Sequence, residues 1–143
     1  MNTLRNSIGL LLLSTTLMAT TCKKVTGDAL QSLSEGQWNL TKLNGEAIVV
    51  PEGGRVPSLR MEGTEGKLSG FGGCNQLFGE YKVEGEKISF PMLGSTKMYC
   101  ESTMKLEQSF TQALREASTY TLKGNTLTLF SAGKETATLV QQK

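Results

Sequence analysis

Three cysteines, 13 carboxylates and no histidine set the chemistry open to this chain of 143 residues. Without histidine, nucleophile schemes of the Ser-His-Asp or Cys-His kind have no general base. Zinc sites of the Cys/His kind lack ligands, because Cys74 and Cys100 alone cannot complete a tetrahedral set. Asp28 is the single aspartate, which removes the usual calcium loops. All other carboxylates are glutamates, so a spatial glutamate pair is the arrangement left for acid–base work. None stands in a motif: Glu62 and Glu65 sit at a turn, and Glu84 and Glu86 flank Gly85 in a hairpin. They read as solvated turn residues. Ser95-Thr96-Lys97 sets hydroxyls beside an amine, but neighbouring side chains on a strand point to opposite faces. That stretch reads as a structural loop. No catalytic residue, metal ligand or cofactor is assigned.

The elements that must position these groups centre on Gly70-Phe71-Gly72-Gly73-Cys74-Asn75-Gln76-Leu77-Phe78-Gly79-Glu80-Tyr81. Glycine at this density marks a kinked strand packed closely against its neighbours. The spacing departs from Gly-x-Gly-x-x-Gly and no Gly-Lys-Ser/Thr follows, so no nucleotide cradle is expected. Phe71, Phe78 and Tyr81 read as core and strand-face aromatics.

The N-terminus carries an address. Met1 to Arg5 is a short, singly charged start, and Ile8 to Ala19 is mostly apolar. As a helix that segment would reach only about 18 Å, too short for a hydrocarbon core about 30 Å thick. It has the length of a secretory h-region. Ala19-Thr20-Thr21-Cys22 resembles the lipobox of bacterial lipoproteins, in which the signal is cut before a lipid-bearing cysteine. Ordinary secretion, with Cys22 merely nearby, is the alternative. Residues 1–21 are thus expected to be a lipoprotein signal peptide, 22–36 a flexible tether without periodicity, and 37–143 the folded domain. Cys22 is the expected lipid attachment site, placing the chain in a bacterial envelope, on the outer membrane by expectation. With Cys22 acylated, Cys74 and Cys100 are the one remaining pair, and an oxidising compartment favours their disulfide. Two buried free thiols are the alternative.

Cys22 to Lys143 is long enough for one core, about 120 residues. Net charge is +2 at pH 7. No basic stretch with interleaved aromatics appears, so nucleic acid is not an expected partner. Lys23-Lys24 would lie near lipid head groups.

Gln37 to Leu43 alternates around Trp38 and Leu40 as a half-buried strand, and Asn44-Gly45 is a strong hairpin turn before a strand over Ala47 to Val50. Pro51 to Pro57 reads as a loop, and Ser58 to Glu62 and Gly66 to Gly70 as short strands. Tyr81 to Phe90 and Tyr120 to Leu129 share the pattern Tyr-x-apolar-x-Gly-x-x-apolar-x-apolar. Each reads as a hairpin burying one face, and two copies suit one curved sheet. Between them Leu106, Phe110, Ala113, Leu114 and Ala117 form the apolar stripe of a helix. Ser102 or Thr103 is its expected cap, with Glu101 and Arg115 at the ends each charge favours. A last strand runs from Thr136 to Val140.

These blocks resemble a known family. Gly73-Cys74-Asn75, Gly79 and Tyr81, Ser95-Thr96-x-Met98-x-Cys100, the helix with Leu106-Glu107, Phe110 and Leu114, and the Tyr120 hairpin look like the META domain of heat-inducible, HslJ-like envelope lipoproteins. The resemblance covers Trp38 to Val140. It implies a mainly β (α+β) fold: a strongly curved antiparallel sheet or partial barrel, lipocalin-like, with one packed helix. It also supports pairing Cys74 with Cys100, and puts Gly73, Asn75, Gly79 and Thr96 in motif positions without a catalytic role.

The function expected is that of a non-enzymatic, lipid-anchored envelope module. It would serve stress or drug tolerance, or envelope integrity, through contact with an envelope protein partner. The alternative is lipocalin-like binding of a small apolar ligand at a barrel mouth lined by residues such as Phe71, Phe78 and Met92. Nothing in the sequence specifies an oligomeric state.

Overall fold

A computed structural model describes residues 25–63 and 66–142. The signal, the lipobox and Cys22 lie outside the described residues. The described chain contains α1 (Val25–Ser34), β1 (Gln37–Leu43), β2 (Glu46–Ala47), β3 (Ser58–Glu62), β4 (Lys67–Phe71) and β5 (Gln76–Glu84). It continues through β6 (Lys87–Ser95), α2 (Met104–Glu116), β7 (Thr119–Lys123), β8 (Thr126–Ser131) and β9 (Lys134–Gln142). All pairings are antiparallel, in the order β2-β1-β3-β4-β5-β6-β7-β8-β9, and β1 also pairs with β9. The sheet therefore closes on itself as a ring. The β1–β9 pairing covers two edges that an open sheet would expose, while β6 and β7 meet at one paired position.

The seam of the ring is β6–β7, where Lys87↔Thr119 is the paired position. Beyond it the strands diverge, and α2, the connection between them, packs against β6, β8, β9 and β1. Its stripe supplies Phe110, Ala113 and Leu114 to the core, while Leu106 is half-buried. Thr103 occupies the cap position without making a cap hydrogen bond, because its backbone is helical (φ −116°, ψ −6°) and not extended.

Alternation along the strands fills the ring. Trp38, Leu40, Leu59, Met61, Leu77, Ile88, Leu127, Leu129 and Leu139 all point inward, none more than 2% exposed. The two repeated hairpins are equivalent in space. Tyr81 and Tyr120 are buried, as are Ile88 and Leu127, Phe90 and Leu129, and each turn has a glycine at positive φ (Gly85, 62°; Gly124, 58°). Burial raises the Tyr120 phenol above its usual range, and the nearby Glu86 carboxylate adds to the shift. The unfolded phenol ionises near pH ~10. Its neutral form thus supports the fold fully below that pH, and the support is lost as pH climbs from there through the higher folded value. Thermal midpoints measured across the alkaline range should fall less steeply in Tyr120→Phe than in the parent.

Two expectations need correction. The stretch taken as a flexible tether is instead helical over Val25–Ser34. Leu33 is fully buried, and Trp38 Nε1 donates to its carbonyl at 2.9 Å, so α1 is part of the packed domain. With Leu30 packed against the core beside it, the anchor is one pair at i, i+3, too short to read as a periodic pattern. The strand expected over Ala47 to Val50 shrinks to Glu46–Ala47, and Val49 is 84% exposed. The Asn44-Gly45 turn itself forms with both residues at positive φ, as its sequence demands.

Candidate functional site

The glycine stretch leaves β4 at Phe71, turns through Gly72 to Asn75 and re-enters the sheet as β5. Gly73 (φ 130°) takes a backbone that side chains rarely adopt. The turn folds over the first turn of α2, where Glu107 is buried at 6% exposure. Cys74 N and Asn75 N both donate to Glu107 Oε2, at 2.9 and 2.5 Å, and Asn75 Nδ2 donates to Oε1 at 2.7 Å. Successive backbone N–H groups converging on one oxygen form a nest for an anion, and here the chain supplies the anion itself. A Cβ on Gly72 would lie 2.7 Å from that same oxygen, so only glycine admits the carboxylate.

Asn75 carries the link onward. Its Oδ1 accepts from Thr96 Oγ1 (2.9 Å) and Met98 N (2.7 Å), while Nδ2 also donates to Met98 O (3.1 Å). Thr96 Oγ1 in turn accepts from Gln76 N at 3.1 Å. A covalent bond between Cys74 and Cys100, with Cα atoms 5.7 Å apart, runs beside this network. Three segments distant in sequence are thus tied together: the β4–β5 turn, the β6–α2 connection and the helix α2.

Gly79 does not belong to this clasp. It lies within β5, where a Cβ would sit 1.7 Å from Met92 O, so its role is to let β5 and β6 approach. What sequence reasoning missed is the role of Glu107, which the resemblance includes without assigning it one. Its signal was present: it falls on the same helical face as Phe110 and Leu114, so a carboxylate interrupts an otherwise apolar stripe.

The chemistry of the clasp is saturated. Both protons of the Asn75 amide and both lone pairs of its oxygen are engaged. The Glu107 carboxylate faces a donor on each oxygen. Among the described residues, no three His, Cys, Asp or Glu side chains group as a metal site, and no helix is long and apolar enough to cross a membrane.

The proposed ligand mouth does not assemble. All three lie on the outer face of the sheet and none lines the interior: Phe71 is covered there beneath Arg55, and Phe78 and Met92 are 54% and 63% exposed. The bulge in β5 and β6 between Glu80 and Lys82 and the pleat together decide this: Leu77 and Tyr81 turn inward, and Phe78 turns out over Gly94.

A ring-like antiparallel sheet, incomplete at β6–β7 and with a helix across that seam, defines a lipocalin-like α+β partial barrel. The META domain family pattern matches residues 31–143, and the chain belongs to that family. The match begins within α1, in keeping with the packing of Leu33. No curated protein matches the chain in sequence. Among solved structures, a protein from Burkholderia xenovorans is 28% identical with a TM-score of 0.64, over 81% of this chain and 88% of that one. A second solution structure is 23% identical (TM-score 0.61; 78% of this chain, 92% of the other). A DUF4847 family protein from Bacteroides vulgatus shares the fold at 16% identity, with a TM-score of 0.58 over 80% of this chain and 97% of its own.

Proposed function

We propose that the chain is a non-enzymatic module of the bacterial envelope, anchored by lipid on Cys22, most simply in the outer membrane. It acts in stress or drug tolerance, or in envelope integrity, by contact with another envelope protein. The observation that carries this reading is the Cys74–Cys100 bond beside a hydrogen-bond network in which every side-chain polar atom of Asn75, Thr96 and Glu107 has a partner. Disulfides persist in exported proteins, and a site whose polar atoms are all engaged serves architecture and not turnover. The export-type N-terminus and the absence of histidine add support from the sequence. Ligand binding inside the ring is disfavoured, because Trp38, Leu59, Phe110 and their neighbours occupy the interior.

Crosslinking in intact cells followed by mass spectrometry should recover an envelope protein with the parent chain, and lose it when Cys22→Ser abolishes membrane association. Deletion should sensitise cells to heat or envelope-active drugs. No recovered partner together with unchanged survival would overturn the reading.

A further inference from the structure

We infer that the outer face of β3 and β4 carries an oxyanion-binding site built on Arg55 and Arg60. A pocket of about 170 Å³ opens there, with Ser58, Ser69, Gly70 and Phe71 among its lining residues and the two arginines beside them. It lies outside the ring and borders the clasp at Phe71 and Gln76, the residues on either side of the Gly72–Asn75 turn.

Strand register makes the pocket. Ser58 pairs with Phe71 and Arg60 with Ser69, so these four side chains share the outward face, opposite the core residues Leu59 and Met61. Gly70 stands between them and holds the strands close: a Cβ there would be 2.3 Å from Ser58 O. Ser58 is itself buried at 6% exposure, so the depression has a polar floor.

The charge is of one sign. Both arginines line the pocket, and no carboxylate does. Arginine stays protonated under all ordinary conditions, and its planar fork suits an oxyanion. Arg55 comes from the loop before β3, and its guanidinium lies 4.4 Å from the centroid of the Phe71 ring. Stacking on a buried aromatic fixes the guanidinium plane while leaving its N–H edge for a ligand, which lowers the ordering cost of binding. Gln76, also at the pocket, adds an amide donor, while Gln37 Nε2 already donates to Asn39 Oδ1 at 2.9 Å.

Size narrows the ligand. The volume is below the roughly 300–1,000 Å³ of sites for drug-sized molecules. It suits one phosphate-like group, whether on a soluble metabolite or on a phospholipid head. Both sources share the chemistry that the two arginines recognise.

The test is nitrogen-15 NMR titration of the whole chain with inorganic phosphate, followed by short-chain phosphatidylglycerol below its micelle concentration. Saturable shifts are expected at the Arg55 and Arg60 side chains and the amides of Ser58, Ser69 and Gly70. Each of Arg55→Gln and Arg60→Gln should weaken binding about tenfold, the scale of one charge-assisted contact, whereas Lys123→Gln should not. Both arginines are exposed; Arg60→Gln leaves the Arg55–Phe71 stack in place and should retain the parent's thermal midpoint, whereas Arg55→Gln should lower it slightly by removing that stack. Tighter binding of the phosphatidylglycerol than of phosphate would assign a lipid head, and equal or weaker binding a soluble anion. Shifts that fail to saturate, or that are the same in the arginine variants as in Lys123→Gln, would overturn the site.

Discussion

Glu107→Ala is expected to lower folding stability by about 4 kcal/mol, a large part of the roughly 5–15 kcal/mol that holds a domain of this size. The substitution leaves Cys74 N, Asn75 N and one proton of Asn75 Nδ2 without acceptors in a buried turn. Each unpaired buried donor costs about 1–3 kcal/mol, and the three share one site, so the sum is not fully additive. Glu107→Gln should cost less, because one amide oxygen can still accept while the amide nitrogen must face a donor. Urea denaturation of the three proteins checks the order: parent above Gln above Ala. A cavity beside Gly72 also opens in the alanine variant, so Gly72→Ala combined with Glu107→Ala should be less damaging than the two single costs added together. In the parent that Gly72 Cβ would strike the carboxylate.

The second large effect is expected from the disulfide. Cys74 and Cys100 are 26 residues apart in sequence. In the chain-entropy picture, removing that crosslink costs about 3.5 kcal/mol through the freedom regained by the unfolded chain. Cys74→Ala with Cys100→Ala should therefore lower the urea midpoint without abolishing the Asn75–Glu107 hydrogen bonds in what remains folded. Because the bond and the network brace the same turn, the combined loss with Glu107→Ala should differ from the sum by a measurable coupling. Additive costs would show that the bond and the carboxylate act independently.

The sequence displays most of this architecture where local chemistry is strong. Alternation around Trp38 and Leu40 yields β1 at its observed bounds, Asn44-Gly45 makes its turn, and the repeated Tyr-to-apolar pattern becomes two equivalent hairpins. The helical stripe from Leu106 to Ala117 becomes α2. What was not legible depends on contacts between distant segments. Leu33 gives no periodic signal, and its burial follows from docking under Trp38. Ile48 to Val50 has strand propensity, but its bonding to β1 ends at Ile48 N, which donates to Thr41 O at 3.0 Å, and Val49 is exposed.

The site divides the same way. Glycine density marks a kinked, closely packed strand; the kink is a turn, and the carboxylate that fills it, Glu107, comes from 32 residues further along the chain. Phe78 and Met92 show the converse error. Their apolarity suggested a ligand mouth, but the pleat of β5 and β6 sends them outward. The face a strand residue takes is settled by register, and a bulge shifts that register between Glu80 and Lys82.

Mass spectrometry of the intact chain extracted from cell membranes, without reductant, tests the account most directly. The predicted species begins at Cys22, carries a lipid on it, and yields joined peptides containing Cys74 and Cys100 after digestion. A chain cut elsewhere and recovered unmodified, with both of those thiols free, would contradict it.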